Sequence, residues 1–168
     1  NSIAILQALV EKINIPQNIH IRYIVADSLL YSFEKKYDIV IGNPPYMKIT
    51  KDKKLLALYK ELAQNKDTNN IFAFFIEKMM SVGNVVSLIV PKSLINVPEF
   101  NQTRAIMKEK RITNIIDFGE KGFKGVKIET ISFVLDTRKA SDMTTIESYI
   151  TEDVRCCPQE YFTDDKFP

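Results

Sequence analysis

The chain has 168 residues, 45% of them hydrophobic and 26% charged, and its formal net charge is +2. This length suits one globular domain with a sizeable core, and so small a charge does not by itself indicate a nucleic-acid partner. Long apolar runs and the layout of a secretory signal are both missing, so we expect a cytoplasmic protein with no membrane partner. The two cysteines are adjacent and the lone histidine has no companion at a recognisable spacing, so no metal site is expected.

The predicted elements alternate between helices and strands. Apolar residues at helical spacing predict a first helix that Ser2 caps and that ends near Pro16, and an alternating pattern predicts a strand over residues 21–27. The stretch "YDIVIG" predicts a buried strand that ends at Asn43. Two helices, a strand, a helix, two strands and a strand-rich tail follow, near residues 55–62, 68–80, 84–91, 98–110, 112–118, 129–135 and beyond 138.

This alternation predicts an α/β fold with a mostly parallel sheet and helices on both faces. In sheets of this kind, ligands bind beyond the carboxyl ends of the strands. Asp27 and Asn43 both fall at such ends. The sequence therefore predicts a binding site that includes these two side chains.

The stretch "NPPY" that follows the second predicted strand indicates a binding site for an amino group. Asn43 and Pro44 each precede a proline and are held extended, and neither proline has an N–H to donate. The side-chain oxygen of Asn43 and the carbonyl of Pro44 can accept both hydrogens of one planar NH₂, and Tyr46 offers a ring for stacking. Two such hydrogen bonds expose the nitrogen lone pair to a strong electrophile, such as a methyl sulfonium. The amine is then activated without a general base. The alternative, a simple Pro-Pro turn, leaves the flanking residues unexplained.

The segment "YDIVIGNPPY" resembles the catalytic motif of amino-group methyltransferases. It is most similar to the N6-adenine DNA methyltransferases of bacterial restriction-modification systems, of type II or IIG. Four other stretches show weaker similarity to blocks of that family, namely "IVADSLL", "TNNIFAFFIEKMM", "VGNVVSLIVPKSLI" and "GFKGVKIETISFVL". The resemblance implies a partial Rossmann-like methyltransferase fold, with S-adenosylmethionine as cofactor and double-stranded DNA with a flipped adenine as substrate.

The resemblance also implies roles for individual residues. Four residues would be catalytic, namely Asn43, Pro44, Pro45 and Tyr46. Three would contact the cofactor, with the first on its adenine: Asp27, Ser28 and Asn43. Three would contact the substrate, the two rings by stacking on the flipped base: Tyr46, Phe123 and Lys48.

Two elements that the family uses to hold the cofactor have no match here, a glycine-rich loop and an acidic residue after the next strand. The glycines in "DFGEKGFKG" have the wrong spacing and precede a strand, so we reject a permuted order. We therefore expect a fragment that lacks the N-terminal loop, binds S-adenosylmethionine poorly and is inactive in isolation. Residues 1–138 would be the C-terminal portion of the catalytic domain, and residues 139–168 a linker and the start of a target-recognition domain.

Other functions stay open at this point. The same tetrapeptide occurs in relatives that methylate a glutamine amide in proteins or a guanine amino group in RNA, since each offers a planar NH₂. The long lysine-containing stretch after Tyr46 and the strand-rich tail favour DNA. A non-enzymatic DNA-binding or assembly module is the alternative of a different class. A fused or separate endonuclease, or a specificity subunit, is a possible partner.

Overall fold

The computed structural model describes residues 2–13, 18–123 and 127–163. The chain forms two compact units, Asn1–Tyr31 and Ser32–Pro168. The first unit contains the helix α1, Ser2–Lys12, as the apolar spacing predicts. Within the described residues, none of the helices is long and apolar enough to cross a membrane.

The strand predicted over residues 21–27 does not form, and this prediction is wrong. Residues 19–27 adopt no regular secondary structure, and Val25 is 83% exposed. An alternating pattern makes a strand only where a neighbouring strand accepts its backbone hydrogen bonds. The described part of the first unit holds no such neighbour.

The second unit carries a sheet and most of the helices. Its strands are β1 (Tyr37–Gly42), β2 (Gly83–Pro91), β3 (Arg111–Gly119), β4 (Thr130–Asp136), β5 (Met143–Ser148) and β6 (Val154–Pro158). Its helices are α2 (Lys53–Leu62), α3 (Ile71–Val82), α4 (Ser93–Asn96) and α5 (Asn101–Lys108). Two 3₁₀ turns complete it, Pro98–Phe100 and Gln159–Thr163. The short helix α4 and the second 3₁₀ turn were not predicted.

The six strands lie in the order β1-β2-β4-β3-β5-β6. The pairs β1/β2 and β3/β5 are parallel, whereas β2/β4, β3/β4 and β5/β6 are antiparallel. The sheet is therefore mixed, and the prediction of a mostly parallel sheet is wrong. A parallel return needs a crossover of a dozen or more residues, and only residues 120–129 separate β3 from β4. The strand β4 consequently returns antiparallel and inserts between β2 and β3.

Four of the strands nevertheless point the same way. Because β4 is antiparallel to both β2 and β3, the strands β1, β2, β3 and β5 share one direction. Their carboxyl ends lie along one edge of the sheet, at Gly42, Pro91, Gly119 and Ser148. The chain leaves β1 for Asn43 at this edge, which we call the carboxyl edge.

The core covers one face of the sheet. Alternate residues of β2 and β4, such as Val86, Leu88 and Phe133, are at most 2% exposed and pack in one cluster with Phe72 of α3 and Met107 of α5. Residues of β2 and β4 that point to the other face, such as Val85, Ile89 and Val134, are half-buried. The helices α3 and α5 contact each other as well as the sheet. They therefore share one face, whereas the prediction placed helices on both.

The strand β1 is an edge strand, although the sequence predicts a buried one. Its described pairing is with β2 alone, through contacts such as Gly42 with Leu88. Val40 packs against the core, but Ile39 is 63% and Ile41 is 79% exposed. One face of β1 therefore meets solvent.

The residues after 138 continue the same sheet. The strand β5 pairs with β3, and β6 pairs with β5. The strand-rich tail is therefore confirmed as secondary structure. The assignment of residues 139–168 to a linker and a target-recognition domain stays a prediction.

Candidate active site at the carboxyl edge

The tetrapeptide Asn43–Tyr46 leaves the sheet at the end of β1. Asn43 and Pro45 are exposed, whereas Pro44 is buried and Tyr46 is half-buried. The burial therefore alternates along the segment, as it does in an extended chain, and Asn43 is accessible to solvent. The predicted direction of the Pro44 carbonyl stays a prediction.

Tyr46 is fixed at its far end. Its hydroxyl donates a hydrogen bond of 3.0 Å to the backbone carbonyl of Ile89 in β2, and its ring packs against the core cluster. Burial raises the pKa of Tyr46 to about 12, so the hydroxyl is neutral at physiological pH. The ring is thus held in one orientation beside the end of the strand.

The residues after Tyr46 are held by the segment that leads into α3. The amide of Ile71 donates to the carbonyl of Met47 at 3.0 Å, and the amide of Ile49 donates to the carbonyl of Asn69 at 2.9 Å. Lys48 and Asn70 form an isolated antiparallel bridge between these two segments. Loop 46–49, which we define as residues 46 to 49, is therefore attached to the start of α3.

A carboxylate in the 3₁₀ turn completes this attachment. One oxygen of Glu99 accepts from Asn70 Nδ2 at 2.7 Å and from Thr68 Oγ1 at 2.9 Å, and the other pairs with Lys48 Nζ at 2.9 Å. Partial burial alone would raise the pKa of Glu99, but the hydrogen bonds from Lys48, Thr68, Asn69 and Asn70 outweigh it and lower this pKa below its ordinary value. Glu99 is therefore ionised at neutral pH.

The structure places the predicted substrate residues in different settings. Lys48 is next to the tetrapeptide, and its ammonium is paired with Glu99. Phe123 is half-buried and lies in the bend after β3. The ends of β2 and β3 flank the first residue of β4, because Pro91 and Gly119 both pair with Thr130. The connection that carries Phe123 thus leaves the sheet at the carboxyl edge.

The predicted cofactor residues Asp27 and Ser28 belong to the first unit. One carboxylate oxygen of Asp27 accepts the amide of Leu29 at 2.9 Å, and its carbonyl accepts the amide of Tyr31 at 2.8 Å. Asp27 thus stabilises a turn and its side chain is exposed, while Ser28 is half-buried. The carboxylate is oriented by the turn, although no strand precedes it.

A cavity of about 290 Å³ lies at the carboxyl edge on the side of β3 and β5. Ile115 and Ile146, which are paired in register, contribute to its apolar lining. Lys92 and Asp117 also line it, and they form an ion pair of 2.7 Å. This cavity was not predicted, because its residues come from separate strands with no motif in common.

Sequence reasoning also missed Glu99. It lies in a stretch that predicts only the start of a helix after Pro98, and no spacing relates it to Lys48, which is far away along the chain. Among residues 2–13, 18–123 and 127–163, no group of three or more His, Cys, Asp or Glu side chains could hold a metal ion.

Comparison with known proteins gives one family and several relatives. The model of the Eco57I restriction-modification methylase family matches residues 5–123. The type II methyltransferase M.VspI of Vibrio sp. (strain 343) is 31% identical over 110 residues, which are 64% of this chain and 27% of that protein. The chain thus spans about a quarter of the length of this curated relative.

Solved structures share the fold at low sequence identity. The type IIG restriction endonuclease BpuSI superposes with a TM-score of 0.60 and 16% identity, over 74% of this chain and 19% of its own. A Listeria monocytogenes protein assigned to the class I S-adenosylmethionine-dependent methyltransferases superposes with a TM-score of 0.56 and 17% identity, over 71% of this chain and 39% of its own. The family match covers most of the chain, including the tetrapeptide and loop 46–49. The chain therefore belongs to the Eco57I restriction-modification methylase family.

Proposed function

We propose that this chain is part of a DNA methyltransferase that transfers a methyl group from S-adenosylmethionine to N6 of a flipped adenine. The observation that carries the proposal is the setting of the tetrapeptide. Asn43 is exposed directly beyond β1, and the Tyr46 ring beside it is anchored to Ile89. An exposed acceptor close in sequence to an anchored ring suits a planar aromatic amine.

The proposed chemistry needs hydrogen-bond acceptors and no base to activate the amine, and the extra proton that N6 carries once it is methylated would pass to solvent water. The Asn43 side-chain oxygen and the Pro44 carbonyl would accept the two N6 hydrogens of adenine. An aromatic amine is a poor nucleophile because its lone pair is delocalised into the ring. Holding both hydrogens out of the ring plane restores the lone pair on nitrogen, so these two residues would activate the amine. Pro45 would keep the chain extended at this point.

Stacking would hold the extruded base. Extrusion from the duplex costs a few kcal/mol, which stacking and hydrogen bonds to the base edge recover. The ring of Tyr46 is fixed by its hydroxyl and loses little freedom when it binds a base. Phe123 would contribute a second apolar surface, since its connection leaves the same edge of the sheet. Lys48 would approach a DNA phosphate only if its pairing with Glu99 is exchanged or shared.

The residues present fit part of a cofactor site. The Asp27 carboxylate is oriented by the turn that it caps and is exposed, so it could accept a hydrogen bond from the amino group of the cofactor adenine. Ser28, the next residue, would add a polar contact. S-adenosylmethionine, when bound, supplies an electrophilic methyl group on a sulfonium. The Listeria relative, which is assigned to the S-adenosylmethionine-dependent class, supports this choice of cofactor.

The classes of the similar proteins support a restriction-modification setting. M.VspI is a type II methyltransferase, and BpuSI is a type IIG restriction endonuclease that shares the fold over 74% of this chain. We propose by analogy that the natural gene product containing this chain acts within a restriction-modification system. An endonuclease in the same polypeptide or a separate subunit would be its partner.

The test is nucleoside mass spectrometry. Unmethylated DNA is incubated with S-adenosylmethionine and the natural gene product that contains this chain, beside an Asn43→Ala variant. Asn114→Ala is the matched control, since Asn114 is also exposed and lies in β3 of the same sheet. We expect N6-methyladenine with the wild-type and control proteins, and a loss of about 10²-fold or more with Asn43→Ala.

Other outcomes separate the alternatives. Transfer to a protein glutamine or an RNA guanine, with none to DNA, would replace the substrate and keep the amine chemistry. If the protein binds S-adenosylmethionine but methylates neither DNA, nor protein, nor RNA, the enzymatic proposal is refuted. Equal activity of Asn43→Ala and Asn114→Ala would refute the role of Asn43.

A further inference from the structure

We propose that Glu99 is a positioning residue that holds loop 46–49, and through it the tetrapeptide, in the geometry that methyl transfer requires. The inference rests on the proposed function for its effect on the reaction rate. Its structural part concerns the loop alone. Glu99 would touch neither substrate nor cofactor and would act through Lys48 and Asn70.

Loop 46–49 is held by few described hydrogen bonds. The strand β1 ends at Gly42, and among the described hydrogen bonds the Tyr46 hydroxyl joins the loop to the sheet; in addition, the Tyr46 ring packs against the core cluster and Ile49 is 7% exposed. The remaining described attachments run to residues 69–71, through the amides of Ile49 and Ile71 and the bridge of Lys48 with Asn70. Apart from this packing, the backbone position of the loop therefore depends on what fixes residues 68–71.

Glu99 fixes both sides of this contact at once. One oxygen accepts from Asn70 and Thr68 on the helix side, and the other accepts from Lys48 on the loop side. A single carboxylate thus joins two segments that are 20 or more residues apart in sequence, by charge-assisted hydrogen bonds that are roughly twice as strong as neutral ones. Loss of the carboxylate would release both segments together.

The backbone that carries the Glu99 carboxylate is held by buried residues. The side-chain amide of Asn65, which is fully buried, donates to the backbone carbonyl of Glu99 at 3.2 Å and to Thr103 Oγ1 at 2.8 Å. Phe100, the next residue, is 2% exposed and packs on Phe72 with ring centroids 4.8 Å apart. Asn65, which binds the Glu99 backbone, and Phe100, which follows Glu99, are both buried. The backbone of Glu99 is therefore fixed independently of the loop, so its carboxylate can hold the loop in place.

An ordinary surface ion pair would not have this consequence. Exposed pairs contribute little to stability and restrict the side chains little. The Glu99 side chain is only 20% exposed and accepts hydrogen bonds from two neutral side chains as well as from Lys48. The pair of Arg111 with Asp142, whose carboxylate side chain is 64% exposed, represents the ordinary kind and provides a control.

The test compares Glu99→Ala, Glu99→Gln and the control Asp142→Asn in the natural gene product that contains this chain. Single-turnover methyl transfer and KM for DNA are measured well below the melting temperature of each variant. We expect Glu99→Ala to lower the transfer rate by about tenfold or more with KM changed less than about threefold, because misplacement of a reacting group costs rate. Glu99→Gln keeps an acceptor for Asn70 and should recover part of the rate.

Hydrogen exchange provides a readout that does not depend on activity. The amides of Ile49 and Ile71, which join the loop to α3, should exchange faster in Glu99→Ala and at the wild-type rate in Asp142→Asn. The amide of Ile131 in the core should be unchanged in both. Should the wild-type protein prove inactive, the proposed function fails, while exchange at Ile49 and Ile71 still decides whether Glu99 holds the loop.

Two results would overturn the inference. The first is a transfer rate for Glu99→Ala that equals that of Asp142→Asn. The second is exchange at Ile49 and Ile71 that is unchanged in Glu99→Ala. A fall in melting temperature with neither change would assign Glu99 to stability alone.

Discussion

Two segments of the chain carry similar sequence patterns and adopt different structures. Residues 21–27 and residues 37–43 both read as strands that end in a polar side chain. The second forms β1, which pairs in register with β2, whereas the first forms no strand. Val25 in the first is 83% exposed, while Val40 in the second packs against the core. Period-2 alternation therefore indicates that a segment is able to form a strand. Whether the strand forms depends on a neighbouring strand with which it can pair.

The largest expected effect comes from shortening one side chain that packs beside β1 and one in residues 21–27. Leu88, which pairs with Gly42 at the end of β1, is 2% exposed, so Leu88→Ala should reduce the free energy of unfolding by about 2–5 kcal/mol. Val25→Ala should change it by less than about 0.5 kcal/mol, because its side chain is almost fully solvated. Urea unfolding followed by circular dichroism measures both. A loss of more than about 1 kcal/mol for Val25→Ala would mean that residues 21–27 are packed after all.

A smaller effect is expected at the anchor of the tetrapeptide. Tyr46→Phe removes the hydrogen bond to the Ile89 carbonyl and keeps the ring, so the free energy of unfolding should fall by about 0.5–1.5 kcal/mol. Tyr23→Phe, in the irregular segment, is the matched control and should have a smaller effect. The same urea titration measures both. Equal losses would show that the hydroxyl of Tyr46 does not anchor the ring.

The same hydroxyl makes stability depend on alkaline pH. Burial raises the pKa of Tyr46 from 10.0 to about 12, so the folded state binds this proton more tightly than the unfolded state. Its stabilising contribution is complete below pH 10 and is lost as the pH rises through 12. The melting temperature of the wild type should therefore fall more steeply than that of Tyr46→Phe between pH 10 and 12. Parallel pH profiles would contradict the burial of this hydroxyl.

Much of the secondary structure was predictable from local patterns. The helix α3 reads as apolar on nearly all sides, and it is buried and ends at Gly83 as predicted. The strands β2, β3 and β4 also lie where alternation and turn residues place them. The strand order was not predictable in the same way, because it depends on how the short connection 120–129 returns the chain. The mixed character of the sheet follows from that connection.

The candidate site was predictable only in part, for a similar reason. The tetrapeptide is a contiguous signal, and the structure places it beyond the end of β1 as the pattern of a strand followed by two prolines predicts. Glu99 and the cavity beside Lys92 and Asp117 depend on residues from separate elements. Tertiary folding alone brings such residues together, and no spacing along the chain indicates them.

The proposed function requires that Asn43 and Pro44 together bind one amino nitrogen of the substrate. The most direct measurement is a structure of the natural gene product that contains this chain, bound to its DNA and to a non-reactive cofactor analogue. We expect the Asn43 side-chain oxygen and the Pro44 carbonyl both to lie about 2.7–3.2 Å from N6 of one extruded adenine, which stacks on Tyr46. An extruded base whose amino group contacts neither acceptor, or an adenine that stays in the duplex, would contradict it.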